Sequence, residues 1–575
     1  MIKSIIFDLD QTLYDYNYFN NKCYNIIIND INKKTGKTEI EIKNIINDAK
    51  LCVKNNLKNS AASHNRILYF QKICEILHIE LSYALTLNKI YWDNFYKIIK
   101  PFDFIEKLFN YLKNNKIKIA ILTNFMSEHQ YEKLSKLKLL KYVDVLVTSE
   151  EIGIEKPDKK MYETILNKLN MKSNEVIMIG DSFESDIEGA FNLNIYAGHF
   201  VNYNLMNKKY FSFSSIENLY NLIKDYNDSI NDLVSLCNIY GERFDLTQAG
   251  GGNISVKYNF NKDVITIIKA SGYCLADVSK DNGYTIINNE KIKKYVNKLV
   301  MDKDKSKIEK NTKDFIKSQI LFNSKLRPSI ETPMHSLFYK YTVHLHPIQC
   351  NIILTKKNGK EIIKNLFPSS LIIDYFTPGI ELSKNIQLKY TGEKVIFLLN
   401  HGLIVTSDSS EEIESLIKKI INTVEIYINN KMNIQINFDK YKLVNKISLI
   451  YESVYKNKFT SYLVEDEIVR KNIDKLKILD NVSIPDKLVY CGNNVINLEN
   501  LSNLEQKLKL TSNIPVMIIF NNNLYIVSKS LKKCKDIIDV LKSHLLFSSE
   551  DDNLLDDEEI NYLLNWEAEK YRQNI

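Results

Sequence analysis

The chain has 575 residues, 45% of them apolar, and a formal net charge of +7 from 77 basic and 70 acidic residues. That length exceeds what one hydrophobic core serves and predicts three or four domains. The small, scattered charge forms no basic stripe among aromatics, which argues against a nucleic-acid binder, and no apolar run approaches the ~18 residues of a helical membrane span.

The eight cysteines form no CxxC pair, which predicts reduced thiols in a cytoplasmic protein. MIKSIIFDLD places two aspartates where a signal peptide would be apolar. In IKSIIFDLDQTLYD, Ile5, Ile6 and Phe7 form the short apolar run of a buried parallel strand, and the acidic residues follow where that strand must end. From about 17 to 100, apolar residues recur at spacings of three and four with no proline before Pro101, which predicts helices. Buried-strand signatures follow at 117–124, 143–153 and 175–190. Strands alternating with helices predict a doubly wound, Rossmann-like parallel sheet over 1–205, with the helical insertion as a cap at about 14–100. The next stretch lacks a clear period and reads as a connector at 206–227. A helix at 228–240 then opens a second α/β domain, 228–440, with strands at 264–273, 341–348 and 394–400. The charge run at 301–314 predicts a solvated loop or a helix start. Beyond it lies an extension, 441–575, where PVMIIFNNNLYIVS (515–528) predicts a hairpin with a polar turn. EDDNLLDDEEINYLLNWEAEKYRQ predicts a final amphipathic helix.

Chemistry gathers at the strand ends. Asp8 and Asp10 stand two apart and are expected to share one site. Other strand ends carry Thr123 and the Asp181…Asp186 pair, and Lys156 sits in GIEKPD. A nucleophilic Asp, an acid/base Asp, a phosphate-binding hydroxyl, a lysine and further carboxylates for Mg2+ make a phosphoryl-transfer site. DLDQT, LTN, EKPD and GDSFESD, in this order, resemble the haloacid-dehalogenase (HAD) superfamily over roughly 1–200. The resemblance implies that Asp8 forms an aspartyl-phosphate and that Asp10 is the general acid/base. It also implies phosphate contacts from Thr123, Asn124 and Lys156, and Mg2+ among Asp8, Asp10, Asp181 and Asp186. The second carboxylate, Asp10, favours a phosphatase. In the cap, SAASHNR (60–66) offers His64 and Arg66 as substrate contacts, against the plainer reading of an exposed helix terminus.

ETPMHSLFYKYTVHLHPIQC (331–350) holds three of the nine histidines. His344 and His346 would face one side of a strand, and His401 follows another strand. Three His around Zn2+ leave a fourth position open, as catalytic sites do. Glu331 would be a fourth ligand or a base, oriented by His335 four residues on. HxH alone reads more plainly as two surface histidines. The upstream turns AGGGNIS, ASG (270–272) and RPS (327–329) change that, because such turns let N–H and hydroxyl groups reach an anion beside a Lewis acid.

GGGNIS, KASG, PSIE, HLHP and NHG together resemble the class II aldolase/adducin family over about 230–440. SIET and WEAEKYR are similar to a longer subgroup related to rhamnulose-phosphate aldolase, so the domain is taken to run to 575. The resemblance implies Zn2+ on His344, His346 and His401, with Glu331 as acid/base. It implies phosphate held by Gly252, Asn253, Ser271, Gly272 and Ser329. It implies a homo-oligomer, such as a tetramer, with sites between subunits. Ile330 departs from the family's hydroxyl residue before the Glu and removes one phosphate donor. The expected whole is a bifunctional carbohydrate enzyme acting on small-molecule sugar phosphates. One half removes phosphate. The other cleaves or forms a ketose 1-phosphate, giving dihydroxyacetone phosphate and an aldehyde. Dehydratase, epimerase and metal-free adducin-like members of the family are the alternatives. A methionine-salvage pairing is disfavoured, because its phosphatases carry Glu where this chain has Asp10.

Overall fold

The computed structural model describes residues 2–560 apart from Asn59, Asn204, Lys208, 261–262, 302–303, Asn323, Lys325, 433–437, 475–486, Asn493, Ser512, 548–554, Asp557 and Glu559. The helix expected over the acidic C-terminus, WEAEKYR included, lies almost wholly outside the described residues. The chain divides into two compact units. One is Met1–Asp228 with Tyr258–Ile265 and Gln319–Lys325; the other is Ser229–Lys257 with Thr266–Ser318 and Leu326–Ile575. Two short segments therefore leave the contiguous division drawn from the sequence. Their rings are covered in the first unit, where Phe260 packs edge-on to Phe211 and Phe322 lies 4.7 Å from Tyr196 between centroids.

The first unit holds strands β1 (Ser4–Phe7), β2 (Lys118–Thr123), β3 (Val145–Thr148), β4 (Val176–Gly180), β5 (Tyr196–Phe200) and β6 (Tyr210–Phe213). They form one parallel sheet in the order β3-β2-β1-β4-β5-β6. β1, β2 and β4 are buried along almost their whole length, which is why their sequences are unbroken apolar runs. The winding reverses between β1 and β4, so the loops after these strands open on one crevice, where α/β sheets place their sites. β5 and β6 were not among the expected strands. β6 and the first turns of helix Ile216–Gly241 occupy the stretch expected to be a connector, because four residues of YFSF are too few for a period to register.

Between β1 and β2 stand the cap helices α1 (Tyr16–Thr35), α2 (Glu39–Asn56), α3 (Arg66–Leu77) and α4 (Tyr83–Ile98). Asp15 caps α1, Gly36 ends it at φ 70°, and Thr38 with Glu41 closes a capping box on α2. Tyr91, Phe70 and Phe95 fill the core of the cap. The sheet side adds α5 (Ile105–Asn114) and α6 (Ser127–Lys136).

The second unit carries β7 (Asn253–Phe260) and β8 (Asp263–Lys269), apart from their ends at 258–260 and 263–265, and β9 (Tyr284–Asn288), β10 (Tyr341–Leu345), β11 (Leu371–Ile373), β12 (Val395–Leu398) and β13 (Gly402–Ser407). Their order is β11-β12-β13-β10-β7-β8-β9. β10 runs antiparallel to both neighbours, with His344 opposite Asn253 on β7 and Ile404 on β13. The charge run becomes helix Lys305–Ser318, with Ile308, Thr312 and Ile316 on its inner face. A four-stranded sheet follows from β14 (Thr460–Val464), β15 (Val495–Leu498), β16 (Met517–Phe520) and β17 (Asn523–Ser528), in the order β14-β17-β16-β15. β16 and β17 form the expected hairpin. Its turn residues Asn521 and Asn522 have φ of 50° and 56°, as a two-residue turn of this hand demands. No described helix is long and apolar enough to cross a membrane.

Candidate active sites

Asp8 follows β1 directly. Its N–H donates to the Ile179 carbonyl at 2.8 Å, which ties the loop to β4. Carboxylate oxygens of Asp8, Asp181 and Asp186 lie within 4.8 Å of one another. Lys156 Nζ donates to Asp8 Oδ1 at 2.7 Å and to Asp186 Oδ1 at 2.6 Å. The Thr12 hydroxyl reaches Asp181 Oδ1 at 3.2 Å and Asp8 Oδ2 at 3.4 Å. A Cβ on Gly180 would fall on the Asp186 side chain, so the glycine that ends β4 makes room for that carboxylate. Burial pushes Asp8 up to about 8 against the pull of Lys156, with Asp186 and Asp181 adding to the rise. Burial and Asp186 push Asp181 up to about 6. Three crowded oxygen donors short of positive charge fit a hard divalent cation.

Asp10 departs from the expectation. Its carboxylate turns away from the other three and accepts from Lys133 Nζ at 2.8 and 2.9 Å, from Gln130 Nε2 at 3.3 Å and from the Tyr14 hydroxyl. Strand alternation does not extend to it, because β1 stops at Phe7 and Gln11 turns the chain at φ 68°. Asp10 is thus not part of the carboxylate cluster expected for Mg2+. Burial would raise Asp10, but Lys133, Tyr14 and Gln130 together hold it below the usual carboxylate range. Thr123 ends β2, buried, and accepts from Gln130 Nε2 at 2.6 Å. Asn124 places both side-chain groups on the Lys156 backbone, at 2.8 and 3.3 Å, so its side chain positions Lys156 where phosphate contact was expected. The four aspartates, Thr123, Asn124, Lys133 and Lys156 line a cavity of about 240 Å3, with Arg66 and Tyr16 from the cap on its wall.

In the second unit, His344 lies on β10 and His346 just past its end, with their Nε2 atoms 3.1 Å apart. His401 sits in the turn between β12 and β13. Ligand nitrogens of the three lie within 4.8 Å of one another. Glu331 Oε1 is 3.3 Å from His344 Nε2 and 3.7 Å from His401 Nε2. His344 Nδ1 donates to the Leu403 carbonyl at 3.1 Å, which leaves the Nε2 lone pair facing the group. Burial lowers His346 to about 3 and His401 to about 4, with His344 adding, so both stay neutral, as metal ligands must. Zn–N bonds of ~2.0–2.1 Å span a tetrahedral edge of roughly 3.3 Å, close to the His344–His346 separation. The donor set fits Zn2+.

His335 does not orient the Glu331 carboxylate. It is buried, and its Nδ1 lies 2.8 Å from Ser255 Oγ. The small-residue turns do converge. Ser271 N–H donates to the Arg327 carbonyl at 2.9 Å, joining ASG to RPS. Lys269 Nζ donates to the carbonyls of Gly250 at 3.2 Å and Tyr273 at 2.8 Å, joining ASG to the glycine cluster. Gly252 and Gly272 take φ of 72° and 86°, which glycine adopts without strain. Asn253 is fully buried opposite His344, and neither Nδ2 nor Oδ1 has a partner among the described residues. Ser329 Oγ accepts from Glu331 N–H at 3.2 Å, and Ile330 is half exposed.

Residues 5–198 match the haloacid dehalogenase-like hydrolase family, and residues 231–428 match the class II aldolase and adducin N-terminal domain. The first part is 32% identical over 194 residues to ribulose-1,5-bisphosphate 5-phosphatase of Halopiger xanaduensis, covering 33% of this chain and 81% of that protein. The chain is a fusion of these two families. Its hydrolase half is also similar to glyceraldehyde 3-phosphate phosphatase of Methanothermobacter thermautotrophicus, 26% identical over 195 residues, 33% of this chain and 82% of that one. Among solved structures, an N-terminal class II aldolase domain from Thermoplasma acidophilum aligns with 35% of this chain and 93% of its own at 25% identity, TM-score 0.31.

Four residues of the hydrolase site escaped the sequence reading: Thr12, Tyr14, Gln130 and Lys133. The signal for the last two was a glutamine, a lysine and Leu134 at helical spacing on the inner face of α6. Lys133→Met would leave Asp10, whose side chain is 25% exposed, without its cation. The expected cost is about 1–3 kcal/mol, read from the urea midpoint.

Proposed function

We propose that the fusion is bifunctional. The hydrolase half is a Mg2+-dependent phosphomonoesterase for small sugar phosphates, and the aldolase-family half is a Zn2+-dependent lyase that cleaves or forms a ketose 1-phosphate. One observation carries this reading: each half sets an acid/base carboxylate beside a metal-fitting cluster. Asp10 shares a cavity with Asp8, Asp181 and Asp186, and Glu331 lies against His344 and His401 of the histidine cluster. The likeness to two sugar-phosphate phosphatases supports the first half.

In the hydrolase half, Asp8 attacks phosphorus and becomes an aspartyl-phosphate as the ester oxygen leaves. Asp10 is the acid/base: Lys133, Tyr14 and Gln130 hold it as the carboxylate in this structure, so it first takes up the proton it passes to that oxygen, and it takes one back from the water that releases phosphate. Lys156 and Thr123 hold the phosphoryl oxygens. Mg2+ held by Asp8, Asp181 and Asp186 would offset the charge on them.

In the other half, Asn253, Ser271, Ser329 and the N–H groups of Gly252 and Gly272 anchor the substrate phosphate. Glu331 moves the proton between oxygen and carbon as the C3–C4 bond breaks or forms. Zn2+ on His344, His346 and His401 would act as a Lewis acid toward the ketose carbonyl.

The homo-oligomeric, cytoplasmic assembly belongs to the same proposal and is checked by light scattering and cell fractionation. Purified protein should carry stoichiometric zinc and release phosphate from small sugar phosphates only with Mg2+ present; zinc-free protein with full lyase turnover would overturn the assignment. Asn253→Ala removes two buried groups that wait for a ligand. The KM of the phosphorylated ketose should rise by about 10- to 100-fold with zinc content unchanged, measured by steady-state kinetics and metal analysis.

A further inference from the structure

The cavity over Asp8 contains a cation that the chemistry above does not use. Arg66 opens α3, is 7% exposed, and lines the cavity. The two lysines there face carboxylates: Lys156 lies between Asp8 and Asp186, and Lys133 lies on Asp10. Arg66 faces neutral acceptors. Its Nη1 donates to the His64 carbonyl at 2.5 Å, Nη2 donates to the Tyr16 hydroxyl, and the buried Nε has no partner among the described residues. The rings of Tyr69, Tyr91 and Phe125 lie 5.5, 5.4 and 5.5 Å from its Cζ. Aromatic faces attract a guanidinium without replacing an anion. A buried charge lacking a counter-charge is costly, and a guanidinium presents a planar fork that matches phosphate or carboxylate.

We propose that Arg66 receives a second anionic group of the substrate, so that the hydrolase half selects small phosphomonoesters bearing a further phosphate or carboxylate. This rests on the phosphomonoesterase reading and narrows its substrate class. Asp8 and Lys156 take the phosphate that is removed. Arg66, on the cap wall of the same cavity, takes the group that stays.

The test compares matched pairs on the full chain with Mg2+: glycerol 3-phosphate against 3-phosphoglycerate, and fructose 6-phosphate against fructose 1,6-bisphosphate. In at least one pair, kcat/KM for the member with the second anion should exceed its match by about 30-fold or more. The pair that shows it tells carboxylate from phosphate. Arg66→Gln should bring that ratio close to one, and Arg66→Lys should keep part of it. No preference in either pair, or a ratio that survives Arg66→Gln, would overturn the proposal. If Arg66→Gln does not fold, the wild-type and Arg66→Lys ratios decide it. Absence of phosphate release from all four compounds would count against the phosphomonoesterase reading instead. Calorimetric Kd values for the same pairs would then read the Arg66 preference without turnover, and equal values within each pair would overturn it.

Discussion

Asp8→Asn should lower phosphate release by on the order of 10^4-fold or more, because it removes the carboxylate proposed to become the aspartyl ester. The substitution is nearly isosteric. It removes the charge on one side of Lys156 while Asp186 keeps the other, so the fold should persist with a near-native urea midpoint. A trapped phosphoenzyme supplies the control: wild-type protein quenched in acid during turnover should carry label from a phosphate donor, and Asp8→Asn should carry none. Label that survives in the variant would place the nucleophile elsewhere.

The second large effect belongs to His344. It is fully buried, its Nδ1 is committed to the Leu403 carbonyl, and its Nε2 is the atom within reach of both His346 and Glu331. His344→Ala should weaken zinc binding by more than about 100-fold, since even the outer partners of zinc ligands are worth 10- to 100-fold. Lyase turnover should vanish with the metal. Glu331→Gln separates metal from proton transfer: zinc should remain bound while turnover falls by roughly 10^2- to 10^4-fold. Full zinc in His344→Ala, measured by mass spectrometry of dialysed protein, would sink the ligand assignment.

Much of this was legible in the sequence where burial is two-sided. β1, β2 and β4 are buried almost throughout, so they left unbroken apolar runs, and the groups at or just past their ends, Asp8, Thr123 and Asp181, could be placed at one crevice. The histidines were legible for a related reason. β10 alternates strictly enough to set His344 on one face, and the turn after β12 carries His401 to it. Short elements were not legible. β6 has four residues, and no period emerges from four.

Pairings across long separations were not legible either. Lys133 meets Asp10 across 123 positions, and nothing local marks a helix lysine as buried until its partner is in place. That contact redirects Asp10, which alternation alone had set beside Asp8. The role of Lys269 is not legible in KASG, because it holds two turns by their carbonyls, a backbone task that residue identity does not announce. SAASHNR reads most plainly as an exposed helix terminus, but Tyr69, Tyr91 and Phe125 pack around Arg66 and bury it.

The fusion gives each half a reason to be assayed with the other silenced. The most direct measurement is dihydroxyacetone phosphate release from a panel of ketose 1-phosphates by the Asp8→Asn full chain, in which the hydrolase half cannot consume substrate or product. Release from at least one ketose, lost in the Asp8→Asn, Glu331→Ala double variant, is the predicted result and would name the sugar. Zinc bound at full stoichiometry with no release from any ketose 1-phosphate would contradict the lyase reading, and loss of water or inversion at carbon would then be the reaction to seek at the same histidines.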